Sequence, residues 1–291
     1  MAKILDYHCG YDDGSGLGIW AEKNPALKFP ESYLHREMIA LLAQTIRQNE
    51  DAPYCLLPFC HTLEAEALGA DIYLGDGKTT PRARHPRCSD LSEVLDLTMD
   101  FSNSRLQETL AACRLLKEQG ETVLFQISGP LTILNSLVPS DMLFRAFRKD
   151  SELILKTFGK LGEDILQLAL LAEEAGADLI SYADPMGGVG IVGPKIAEKI
   201  AVNFTADFLG QLDRQLQKET PVLLCPKTAF ALLGCGLAQW QEHKLSEWMS
   251  YGEAALACSG EFRFAGQSCV KKTSYTTEIL RELVLNKEDR Q

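Results

Sequence analysis

Five short apolar runs alternate along the chain with longer segments of helical spacing, and no hairpin signal separates them. The runs are "PYCLLPF" (53–59), "TVLFQI" (122–127), "DLISYA" (178–183), "PVLLC" (221–225) and "EFRFAG" (261–266). Strands joined by helices rather than by tight turns must run parallel, because a parallel pair needs a long crossover. The runs are apolar at successive positions, as strands covered on both faces should be. The sequence therefore predicts an α/β fold with a parallel sheet, and a closed barrel and an open doubly wound sheet both satisfy it.

The helical segments carry their own punctuation. "HTLEAEALGA" (61–70) reads as a helix closed near Gly69. Leu106, Leu110, Cys113 and Leu116 fall on one helical face, and Gly120 supplies a stop. Ser151 is placed to cap a long helix on which Leu153, Thr157, Leu161, Ile165, Leu168 and Ala172 share a side, ended by Gly176. Pro194 opens another, with Ile196, Ile200, Phe204, Phe208 and Leu212 facing inward. A final helix is predicted around 276–286, and the Gly- and Pro-rich segment 8–32 reads as a loop or lid.

The chain has 291 residues, enough for two domains, yet single α/β barrels of about 250 residues are common. Its net charge of −11 argues against a nucleic-acid backbone or an anionic membrane as the main partner. No stretch approaches the ~18 apolar residues of a membrane span, and the first residues lack the apolar core of a signal peptide. Nine scattered cysteines then read as reduced thiols of a cytoplasmic protein, most of them small buried hydrophobes.

Functional groups of parallel α/β folds stand at the carboxyl ends of strands. Asp184, with Pro185, falls just past the 178–183 strand, where it reads as a catalytic carboxylate or a turn residue. Cys60 and His61 follow the first strand ahead of a helix, a setting that can acidify a thiol. "GVGIVG" (188–193) matches G-x-G-x-x-G but lacks the acidic residue at the end of a second strand, so it reads as a flexible loop. "GSGLG" (14–18) has no predicted helix after it. Cys225 and Cys269 each follow an apolar run, but two thiols are fewer than the three protein ligands zinc needs.

Together, "LPFCHTLEAEALGADIYLGDGKTTPRARHP", "ISGPLTILNSLV", "AEEAGADLISYADPMGGVGIVGPK" and "LLCPKT" resemble the uroporphyrinogen decarboxylase superfamily, nearer to its methylcobalamin:coenzyme M methyltransferases and their corrinoid-dependent relatives. The resemblance covers roughly 53–285 and matches the first fifty residues poorly. It implies one domain over 1–291, a (β/α)8 TIM barrel, abridged where the stretch between Cys225 and Cys269 is short, and the homodimer often seen in the decarboxylases. Those decarboxylases clamp substrate carboxylates with an N-terminal arginine-rich segment, and residues 1–34 here contain no arginine. Decarboxylation is accordingly the least favoured activity.

For the methyltransferases the resemblance implies a zinc site of His-x-Cys plus a late Cys. Carried over, the cysteines fall on Cys225 and Cys269 while Leu223 occupies the histidine position, leaving Cys60, His61 or Cys235 to complete the shell. It further implies a corrinoid such as cobalamin, free or on a corrinoid protein, and a small-molecule methyl acceptor whose thiol a metal would deprotonate. Asp184 would orient substrate or a ligand, and Cys60, His61, Gly187 and Gly188 would bind substrate or corrinoid. The alternative is a barrel that binds a corrinoid or tetrapyrrole without turnover.

Overall fold

The structure is a computed structural model that describes residues 3–9, 16–149 and 151–286, the side chain of Ser151 excepted. The expected cap at Ser151 and the first half of "GSGLG" lie outside the described residues.

The five apolar runs become five parallel strands. They are β1 (Cys55–Leu57), β4 (Val123–Ser128), β5 (Leu179–Ala183), β6 (Val222–Leu224) and β8 (Phe264–Ala265), side by side in that order. A separate antiparallel pair, β2 (Ile72–Tyr73) with β3 (Arg82–Ala83), lies between the first two in the chain. Crossover helices include Ser104–Glu118, which starts at an Asn103 cap and is followed by Gly120 at φ 80°, and Ser151–Glu174. Pro194 opens its helix as predicted, but the segment passes through a π-helical turn at Ala201–Thr205 before continuing over Ala206–Gln215.

Three expectations are corrected. Residues Thr276–Leu285 form a strand, β9, not a helix. It pairs antiparallel with β8 and with β7 (Ala238–Ser250), a long strand that the sequence did not suggest. Buried Thr277, Leu280 and Leu283 recur every third residue, which mimics a helical face. Their partners lie 28 or more positions away in the chain, where no local pattern reveals them. The "GVGIVG" segment is not a loop, because Val189–Val192 is a helical turn. A short helix, Ile19–Lys23, does follow Gly18.

The architecture is an abridged α/β barrel: five parallel strands carry the crossovers, and the antiparallel β9–β7 extension completes a seven-stranded sheet. Among the described residues no hydrogen-bonded pair joins β1 to β7.

Strand residues alternate between two cores, as the two-residue period requires. Leu57, Phe125, Ile127, Ile180, Tyr182 and Leu224 pack with the crossover residues Leu106, Leu110, Ile165, Leu168 and Phe208. On the other face Leu124, Leu179, Leu223 and Ala265 pack with Tyr251, Ala254, Ala255 and Leu280. The helix Tyr251–Ala257, fixed at its start by a Ser250–Glu253 capping box, thus fills the lower half of that inner face. Each leucine so enclosed contributes on the order of 2 kcal/mol. The upper half, towards the carboxyl ends of the strands, holds the site.

Candidate functional site

Parallel pairing aligns Gln126, Ser181, Leu223 and Ala265 in one row across β4, β5, β6 and β8. The row above begins with Ser128 beside Ala183, and Cys225 follows two residues after Leu223 on β6's own face. Over these rows lies a cavity of about 240 Å³. Gln126, Ser181 and Cys225 form its floor, His61, Cys269, Lys227 and Lys271 stand around it, and Tyr7 and Cys9 reach it from the N-terminal segment. Part of the predicted loop or lid therefore does border the site.

The structure brings Cys225, Cys269 and His61 into this one cavity. Burial pushes the Cys225 thiol up to about 12; its bond with the Lys227 backbone works the other way, and the nearby Cys269 thiol adds to the rise. Tyr7 is raised by burial too, and the Cys269 and Cys9 thiols push in the same direction. His61 Nδ1 lies 3.2 Å from Ser128 Oγ, and the Ser128 backbone N–H donates to the buried Glu64 carboxylate at 2.6 Å.

Other predicted residues lie elsewhere. Cys60 is buried and turned to Arg105, whose guanidinium donates to Cys60 Sγ at 3.4 Å and to Thr62 Oγ1 at 3.0 Å and also bonds Glu66. Cys235 ends the helix Pro226–Gly234 and does not line the cavity. Asp184 is buried over the start of helix Pro130–Leu137, and with Gly187 it lines a separate crevice of about 20 Å³. Gly129 makes that approach possible, since a Cβ there would sit 2.3 Å from Asp184 Cβ. Gly188 performs a similar service for Lys227, whose Cδ would lie 2.6 Å from an added Cβ. Gly187 and Gly188 therefore shape the walls behind the cavity and do not line it.

The donor set falls short of zinc. Leu223 is fully buried where the third ligand would stand, and among the described residues no three His, Cys, Asp or Glu side chains group to hold a metal.

Gln126, Ser181, Lys227 and Tyr7 were missed in the sequence. The signal for the first two was present, because Gln126 and Ser181 are polar residues inside runs otherwise buried on both faces. Such positions are occupied by polar groups at a cost, which marks them for use.

Comparison with known proteins agrees with this fold. The uroporphyrinogen decarboxylase (URO-D) family model matches residues 20–240. That match starts earlier than the expected 53 and stops short of Cys269. Methylcobamide:CoM methyltransferase MtaA of Methanosarcina barkeri is 25% identical over 174 residues, 57% of this chain and 50% of the relative. Methylcobamide:CoM methyltransferase MtbA of Methanosarcina mazei is 25% identical over 221 residues, 70% and 61% of the two chains. The chain thus spans about half to three fifths of the length of these relatives. A solved methyltransferase from Methanosarcina mazei shares the fold with a TM-score of 0.64 at 20% identity, over 79% of this chain and 70% of the other. No helix among the described residues is long and apolar enough to cross a membrane.

Proposed function

The chain belongs to the uroporphyrinogen decarboxylase (URO-D) family, and we propose that it moves a methyl group between a methylated corrinoid and a small thiol or comparable acceptor. The observation that carries this reading is the meeting of Cys225 and Cys269 in one cavity at the carboxyl ends of the parallel strands. Relatives named for transfer from a methylcobamide to CoM support it. At about 240 Å³ the enclosed space suits a small acceptor, below the 300–1,000 Å³ usual for drug-sized ligands, so a corrin ring would lie over the mouth. The nine free thiols suit a reducing, cytoplasmic setting, with a corrinoid protein as a natural partner.

A methylated corrinoid supplies an electrophilic methyl group: the acceptor sulfur forms the S–C bond while the Co–C bond breaks, its electron pair stays on cobalt, and the thiol proton passes to water. The chain's own residues confine and orient the acceptor. Tyr251, Ala254 and Ala255 fill the inner face around Leu223 and Ala265, the row that also carries Gln126 and Ser181. Lys227 and Lys271 place positive charge at the wall, where it favours an acceptor in its anionic form. No step here runs through zinc, since among the described residues no three ligands group to hold it.

The test is methylcobalamin mixed with the protein and a series of thiols. Loss of the methylcobalamin spectrum, faster with protein than without, is the expected result; absence of both binding and demethylation would overturn the reading. Leu223 favours a second reading, a barrel that binds the corrinoid and does not turn over. Binding without demethylation would select it.

A further inference from the structure

The floor of the cavity contains an anomaly. Gln126 is 3% exposed, lines the cavity, and its amide nitrogen Nε2 is buried with no hydrogen-bond partner. A buried donor without an acceptor costs as much as a lost hydrogen bond, and Gln126 is the one residue with such an atom, among those described, that lines this cavity, where a ligand can supply the acceptor. Its neighbour in register is Ser181, 1% exposed and also on the floor. Adjacent strands lie about 4.8 Å apart, so the amide and the hydroxyl rise side by side into the same space.

The walls add a sign. Lys227 and Lys271 line the cavity, and among the described residues none that lines it is Asp or Glu, in a chain whose net charge is −11. Glu50 acts on Lys271 from outside the cavity, and the donors and cations that face inward favour an anion. A carboxylate offers two coplanar oxygens that can accept from two adjacent donors at once.

We propose that Gln126 and Ser181 form the specificity floor of this site and hold the carboxylate end of a small acceptor, leaving its nucleophilic end directed to the mouth. The proposal rests on the methyl-transfer reading of the same cavity and names the class of acceptor that cavity takes. Gln126 binds and positions; it performs no proton transfer.

Calorimetric titration with 3-mercaptopropionate, 2-mercaptoethanesulfonate and 1-propanethiol tests it. The intact protein should bind 3-mercaptopropionate about 10- to 100-fold more tightly than 1-propanethiol, the worth of a hydrogen bond to a charged group. Gln126→Met should lose most of the preference for the acid, keeping only what Ser181 and the wall lysines supply, and Gln126→Glu should reject the acid. Without ligand, Gln126→Met should unfold at the same temperature as the parent or higher, because its amide nitrogen has no partner to lose. A lowered unfolding temperature would make Gln126 structural and overturn the proposal. Equal binding of acid and alkane, or tighter binding of the sulfonate, would overturn it as well. An acid preference that depends on Gln126 in a protein unable to demethylate methylcobalamin would uphold the floor and remove the methyl-transfer reading. Demethylation with 1-propanethiol and no acid preference would do the reverse.

Discussion

Asp184 holds Thr132 through a single carboxylate oxygen, which accepts the backbone N–H at 2.8 Å and the hydroxyl at 2.6 Å. Its other oxygen accepts the Leu131 N–H at 3.3 Å. A carboxylate at the end of β5 therefore closes the helix that follows β4. This tie joins two neighbouring strand ends, one of which leads into the wall of the cavity.

Burial raises the Asp184 carboxyl above its ordinary value, against the opposing pull of the Thr132 hydroxyl. A carboxyl with a raised folded-state value contributes stability that is present below its unfolded value, near 3.9, and lost as pH climbs through the raised one. Asp184→Asn keeps an acceptor and removes the titration. Urea unfolding of the parent should lose stability as pH rises above about 4 by an increment that the Asn variant lacks. Parallel profiles would show that the group does not titrate in this range. Asp184→Ala should be destabilised throughout, by roughly 1–3 kcal/mol for each donor left unsatisfied.

Leu223→His tests the metal argument. Leu223 lies on the same face of β6 as Cys225 and in register with Ser181. The imidazole would thus enter below Cys225, at a cost of roughly 1–3 kcal/mol if a nitrogen stays unsatisfied. Second-shell changes alone alter metal affinity by about 10–100-fold, so the new ligand should tighten zinc binding at least tenfold. Adding Cys269→Ala should cancel the gain. Zinc affinity that is unchanged, or that rises without Cys269, would mean the two cysteines do not form one site.

The cysteines should label very unequally. Burial holds the Cys225 thiol well above its ordinary value, and only the thiolate reacts. Cys9 is exposed. Mass spectrometry after brief iodoacetamide treatment in the folded state should find Cys9 modified and Cys225 intact. Rapid modification of Cys225 would mean its pocket is wetter or more cationic than the structure shows.

Much of the fold was legible in the chain itself. The parallel strands and the Leu106–Leu116 and Ile165–Leu168 faces follow from apolar runs, helical spacing and glycine stops, all local signals, whereas the order of the strands in the sheet does not. Cys225, Cys269, His61 and Asp184 were identifiable because strand ends are where this fold places functional groups. Tertiary structure decided the rest. Whether Thr276–Leu285 was helix or strand depended on β7, and pairing between distant segments leaves no local trace. Asp184 and Cys60 became buried anchors because Thr132 and Arg105, far off in sequence, arrive beside them. The cavity floor exists only because register sets Gln126 against Ser181, above an inner face that the Tyr251–Ala257 helix has already filled. The sequence determines which residues can serve a site, since side-chain chemistry is local. Which of them face one another is decided by strand register and packing, which are properties of the folded chain.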